Sequence, residues 1–132
     1  MKNIVRIGAG SAWWGDRIEP AQLNAEKGGL DYLCFETMAE ATISAAQVRK
    51  RRDPSVPGYD TYLDGRMQAV LPGCLAGGTK IITNQGWINP DGAAERIVYW
   101  LRHFGAKGVK VASINGSLIT DRVLSLTKTI ME

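Results

Sequence analysis

Asp31-Tyr32-Leu33-Cys34-Phe35-Glu36 is the stretch on which the fold turns. It is apolar through its middle and lacks polar–apolar alternation, the pattern of a central parallel strand covered on both faces. Immediately upstream, Gly28-Gly29 is a natural stop for a helix running from Pro20 to about Lys27, with proline in the first turn where a missing donor costs nothing. Further back, Asn3 to Gly8 carries Ile4, Val5 and Ile7 and breaks at Gly8-Ala9-Gly10, which predicts a short buried strand entering a turn.

Downstream, Ala39, Ile43 and Ala46 share one face of a helix over about 39–51, while Gln47, Arg49 and Lys50 face water. Pro54 and Pro57 make the next stretch irregular. Asp60 is placed to cap a helix with the stripe Leu63, Met67, Val70, Leu71 and Cys74, which Pro72 should kink or end. A third strand, Thr79 to Thr83, contains Ile81 and Ile82. Asn89-Pro90 then opens a helix with the stripe Ala94, Ile97, Val98, Leu101 and Phe104, closed by Gly105. A fourth strand is expected over Gly108 to Ile114 and a last helix over Leu118 to Ile130. Strands separated by helices run parallel, so the expected class is α/β, a three-layer, mostly parallel sheet flanked by helices.

The 132 residues, 45% hydrophobic and 22% charged, suit one soluble domain. No apolar run approaches the roughly 20 residues of a membrane span and no long apolar leader is seen, so no membrane partner and a cytoplasmic location are expected. A formal charge of +3 is too mild to imply a polyanion. Arg49-Lys50-Arg51-Arg52 has no interleaved aromatic residue for base stacking and reads as a solvated helix end, with no nucleic acid partner. Cys34 and Cys74 lack metal-ligand spacing and read as buried free thiols, and the one histidine, His103, sits on a helix flank, which argues against a Ser-His-Asp triad or a zinc site.

In open parallel sheets, ligands bind outside the carboxyl ends of the strands. The polar residues of this chain gather in the loops at that edge: Gly8 to Arg17 after the first strand, Glu36 after the second, Asn84 to Asn89 after the third and Asn115 after the fourth. Glu36 and Asp16 are the candidate acid–base groups. Gly10, Ser11, Arg17, Thr83, Asn84, Gly86 and Asn115 are the candidate ligand binders, through side chains or backbone donors. Each carboxylate also has a structural role open to it: Glu19 and Glu40 lie near helix starts, and Asp16 with Arg17 can brace a loop. Gly8-x-Gly10 is followed by Trp13 where the dinucleotide fingerprint needs its third glycine, so a nucleotide site trails as a reading. Trp13, Trp14 and Trp87 on the same edge suggest a covered pocket or a subunit contact. No cofactor or metal is specified by these residues.

Several separated motifs then share an order. Gly15-Asp16-Arg17-Ile18-Glu19-Pro20-Ala21, Leu30 to Glu36 with Met38-Ala39-Glu40, Gln47 to Pro54, Gly58-Tyr59-Asp60, Arg66-Met67 with Ala69 to Pro72, and Thr83-Asn84 with Gly86 and Asn89-Pro90 resemble the acyclic terpene utilisation (AtuA) family over nearly the whole chain. Family members are longer. The resemblance therefore implies either a single α/β domain over 1–132 or the N-terminal part of a longer AtuA-like domain, with an open sheet edge for a partner subunit or a second copy. It further implies a bacterial role in catabolism of branched acyclic terpenoids, whose intermediates travel as coenzyme A thioesters, and hence a small acyl or carboxylate ligand. Trp13-Trp14 and Gln85-Gly86-Trp87 depart from the family pattern and suggest a different substrate. The rivals that remain are a non-catalytic assembly subunit and a nucleotide-binding module.

Overall fold

The structure, a computed structural model, describes residues 3–116 together with 119, 122, 123 and 125. Among the described residues, seven elements follow in chain order: β1 (Ile7–Ser11), α1 (Glu19–Lys27), β2 (Tyr32–Phe35), α2 (Glu40–Arg52), α3 (Leu63–Gly77), β3 (Lys80–Thr83) and α4 (Pro90–His103). β2 is central and pairs in parallel with β1 on one side and β3 on the other. The α/β class, the parallel sheet and the strand–helix alternation are those expected from the sequence.

The register sets which side chains share a face. Gly8, Leu33 and Ile81 are aligned across the three strands, as are Ala9, Cys34 and Ile82. Leu33 and Phe35 point into a core built with Ala21 and Ala25 of α1 and Val70 and Cys74 of α3. Small residues on α1 let α3 come close, and a Cβ on Gly73 would stand 2.9 Å from the backbone carbon of Ala25. A second cluster joins α3 to α4 through Leu63, Met67, Leu71, Ala93, Trp100 and Leu101.

The first strand begins later than expected. Ile4 and Val5 are exposed, and the glycines lie inside β1 instead of in a turn. Their lack of a side chain is the reason: a Cβ on Gly8 would collide with the Leu30 side chain, and one on Gly10 would sit 2.5 Å from the Phe35 ring. The pairing slips between Ala9 and Ser11, so Gly10 is the bulged residue that turns the strand end toward the neighbouring loops.

Pro72 does not end α3, which runs through it to Gly77. The proline is exposed, so a carbonyl it leaves unpaired can be hydrated. Tyr62, not Asp60, is the N-cap of α3. On α4 the buried face is turned from the expected stripe: Ala93, Trp100 and Leu101 are buried while Phe104 is exposed.

The expected fourth strand is absent: residues 109–116 are without regular structure. Val111 packs on the α3–α4 cluster, Ser113 and Asn115 are tied to Asp91, and Val109 and Ile114 are exposed. The expected helix over Leu118 to Ile130 lies outside the described residues apart from 119, 122, 123 and 125, of which Arg122 and Val123 are helical. Among the described residues, no helix is long and apolar enough to cross a membrane.

Candidate functional site

The carboxyl ends of the three strands are laced together by side chains. Past the last paired residues, Ser11 Oγ donates to the Glu36 carbonyl at 2.8 Å and Glu36 N–H donates to the Ser11 carbonyl at 3.2 Å. Glu36 Oε1 accepts two bonds, from Met38 N–H at 2.8 Å and from Asn84 Nδ2 at 2.9 Å. Asn84 Oδ1 in turn accepts from Thr37 N–H at 2.8 Å. The Glu36 side chain is nonetheless exposed, and no donor reaches its second oxygen among the described residues. A carboxylate that is oriented yet open to solvent can act as a proton acceptor or donor toward a bound molecule.

Asn84 uses both ends of its amide to orient Glu36 and the 36–38 turn, so it positions the carboxylate instead of offering a free amide. Thr37, fully buried, receives the Trp87 indole N–H at 3.2 Å. Thr83 Oγ1 donates to Gln85 Oε1 and accepts from Gln85 N–H, both at 3.1 Å, which shapes the turn after β3. Trp87 in that turn has φ of 45°, a left-handed conformation unusual for a bulky residue. Gly86 closes the same turn by accepting from Asn89 N–H at 2.8 Å, and Asn89 caps α4 by accepting from Gly92 N–H.

Beneath the rim lies a charged pair. Asp60 and Arg66 are each 1% exposed, and Arg66 Nη1 meets Asp60 Oδ2 at 2.6 Å. Asp60 accepts three further bonds: Gln85 Nε2 at 2.9 Å, Trp14 Nε1 at 3.0 Å and Tyr62 N–H at 2.8 Å. Arg66 Nη2 donates to the Trp14 carbonyl at 2.6 Å and weakly to that of Asp16 at 3.4 Å, while its Nε has no partner. The Trp14 ring stacks obliquely on Tyr62 and Trp87, with centroids 5.4 and 6.1 Å away. One buried pair thus fastens the loop after β1, the start of α3 and the loop after β3.

The predicted residues fall into separate groups. Ser11, Glu36, Thr83 and Asn84 meet at one rim, with Gly10 at its bulge and Gly86 at its turn. Asp16 lies in the neighbouring loop, where its Oδ2 accepts from Ala12 N–H at 2.7 Å and Trp13 N–H at 2.9 Å, a brace of the kind expected for Asp in a tight loop. Arg17 pairs with Glu19 in solvent at 3.4 Å instead of facing the rim. The hydrogen bond from its own backbone, and then Arg17, hold the Glu19 carboxyl below its ordinary value. Asn115 stands apart as well: with Ser113 it bonds Asp91 at the start of α4, and these donors lower the Asp91 pKa. Trp87 is buried, Trp14 half-buried and Trp13 exposed.

The sequence reading missed Asp60, Arg66, Gln85 and Thr37 as the supports of this rim. A signal was present for Arg66, a cation set inside the apolar stripe Leu63-Met67-Val70 at helical spacing. Cys74 is buried, and burial pushes its thiol up to about 11; Cys34 is half-buried, and both cysteines are free. A shallow hollow of about 480 Å³ lies away from Glu36, between α4 and the following segment, lined by Asp91, Glu95, Val98, Arg102 and Val111.

Comparison with known proteins agrees with the motifs. The family described as "Acyclic terpene utilisation family protein AtuA" matches residues 5–131. No curated protein matches the chain significantly, and neither does any solved structure.

Proposed function

From the premise that the chain belongs to the acyclic terpene utilisation (AtuA) family, we propose that it is an enzyme or enzyme subunit of acyclic terpenoid or related branched-acyl catabolism. It binds a small acyl ester, thioester or carboxylate at the carboxyl edge of the parallel sheet. The observation that carries this reading is the Glu36 carboxylate, oriented by Asn84 and the Met38 amide at the ends of β2 and β3 and still open to solvent.

In this reading Glu36 is the acid–base group. Ser11 and Asn84 fix its backbone and side chain, and the Asp16-braced loop, with Trp13 exposed on it, forms the wall against which a branched apolar chain lies. Carbonyl or carboxylate oxygens of the ligand are met by backbone donors at the β1 bulge of Gly10 and in the turn that holds Gly86.

The test is a thermal-shift and calorimetric panel of branched acyl-CoA thioesters and free branched carboxylates, on the wild type and on Glu36→Gln. A ligand at a hundred times its Kd stabilises the native state by about 2.7 kcal/mol, which is easily seen. Glutamine retains the shape and an acceptor oxygen, so the unliganded melting temperature should hold while turnover is lost. The proposal fails if no panel member stabilises the wild type, or if Glu36→Gln turns substrate over unchanged.

A second reading, an assembly subunit, draws on the exposed Trp13 and on the outer edges of β1 and β3, which pair with no strand among the described residues. A native mass above the monomer with no ligand response would favour it.

A further inference from the structure

The segment after α4 is held to the start of that helix by two side chains. Asp91 Oδ1 accepts from Ser113 Oγ at 2.6 Å and from Asn115 Nδ2 at 2.8 Å, and Asn115 Nδ2 also reaches Ser113 Oγ at 3.2 Å. Among the described residues, no backbone N–H of 109–116 donates to a backbone carbonyl, and Val111 supplies the apolar contact with the α3–α4 cluster. The residue that follows Asn115 is Gly116, which makes the one Asn-Gly pair of the sequence. Gly116 has φ of 137°, a conformation strained for any residue with a side chain, and a Cβ there would meet nothing within 4 Å. Both residues are exposed, and the Gly116 N–H has no acceptor among the described residues.

We propose that Asn115 is a site of spontaneous covalent modification, deamidation through a succinimide formed with Gly116, and that its conversion releases the 109–116 segment from α4. The Gly116 backbone nitrogen gives its proton to solvent and attacks Asn115 Cγ. A bond forms between that nitrogen and Cγ, the bond from Cγ to Nδ2 breaks, and Nδ2 takes up a proton and leaves as ammonia. Water then opens the ring at either carbonyl, giving aspartate or isoaspartate, with no change of oxidation state. A glycine in second place is what makes the ring accessible, because no side chain shields the attacking nitrogen.

The consequence lies in what Asn115 touches. The departing Nδ2 is the donor to Asp91, and the oxygen that replaces it can only accept. Ser113 and then Asn115 hold the Asp91 carboxyl below its ordinary value, so at neutral pH the new carboxylate faces a full negative charge. Glu95, one turn along α4 in the same hollow, adds a second. Arg102, the cation among the residues lining that hollow, stands about 16 Å along the helix from Asp91 and cannot take the place of the lost donor.

Full-length wild type, kept at mildly alkaline pH and physiological temperature and then digested with trypsin, should give peptide 111–122 in two new forms, each carrying an acid in place of the Asn115 amide by mass. Gly116→Ala should slow that conversion by about tenfold or more. Native proteolysis reads the release, since cleavage after the exposed Lys110 follows the population of the detached segment: Asn115→Asp should be cut about tenfold faster than wild type. In the double variant Asp91→Asn, Asn115→Asp the donor and acceptor trade places, and slow cleavage should return. A peptide 111–122 that keeps its amide would overturn the proposal, as would equal cutting of wild type and Asn115→Asp. A double variant cut as fast as the single one would overturn it too, because the bond to Asp91 would then not be what holds the segment.

Discussion

Asp60→Asn should destabilise the protein more than Arg66→Met, although the two residues are partners in one ion pair. The carboxylate of Asp60 is saturated: its two oxygens take four bonds, from Arg66, Gln85, Trp14 and the Tyr62 amide. Breaking a buried pair by deleting one partner generally costs about 3–5 kcal/mol. Removing Arg66 leaves Asp60 with three N–H donors and also removes an orphaned Nε, whose burial costs about 1–3 kcal/mol. The expected loss is therefore at the low end, about 2–3 kcal/mol. Asparagine at 60 instead turns an NH2 group against two existing donors and leaves a guanidinium buried with carbonyl partners alone, so about 4 kcal/mol or more is expected. The double variant should lose less than the sum, with a coupling of about 2 kcal/mol. Urea unfolding followed by circular dichroism and by tryptophan emission gives these values, because Trp14 touches the pair. A cost below about 1 kcal/mol for both, or the reverse order, would refute the reasoning.

Two further outcomes test the packing. Gly73→Ala should destabilise by about 1–3 kcal/mol even though alanine is the better helix former by about 1 kcal/mol, because the new Cβ meets the backbone of Ala25 and Glu26, which cannot step aside as a side chain can; a gain in melting temperature would show that α1 and α3 separate freely. Asp64 is held below its ordinary 3.8 by the bidentate Arg96 guanidinium and then by the Trp100 indole. A depressed carboxylate stabilises above its unfolded value and loses that contribution as pH falls through the lower folded value. The advantage of wild type over Asp64→Asn should thus be constant from neutral pH to about 4 and shrink below it, and an advantage that persists unchanged to pH 2.5 would contradict the linkage.

Elements whose signal is local were legible in the sequence. β2 lies within the predicted stretch because its apolar run is bounded by glycine and by Glu36, and α4 opens at Asn89-Pro90 as its cap chemistry requires. The start of β1 was misplaced because glycine normally breaks a strand, and the need for bare backbone against Leu30 and Phe35 is a tertiary fact. The fourth strand failed for a related reason: Val109 and Val111 have strand propensity, yet the bonds of Ser113 and Asn115 to Asp91 hold the segment along α4. At the site, Glu36 and Asn84 were found together because strand ends of a parallel sheet converge by topology. Asp60, Arg66 and Gln85 were not, since the contacts that tie them to the other loops span 25 to 52 residues of chain: Gln85 to Asp60, Trp14 to Asp60 and Arg66 to Trp14.

The buried knot of Asp60, Arg66, Gln85 and Trp14 also constrains how such a rim can diversify. Because three loops share one set of donors and acceptors, an exchange at any member strands a polar group on the others. Changes of ligand preference should then arise as concerted replacements across distant positions, or at Trp13, which lies outside the knot and can vary alone.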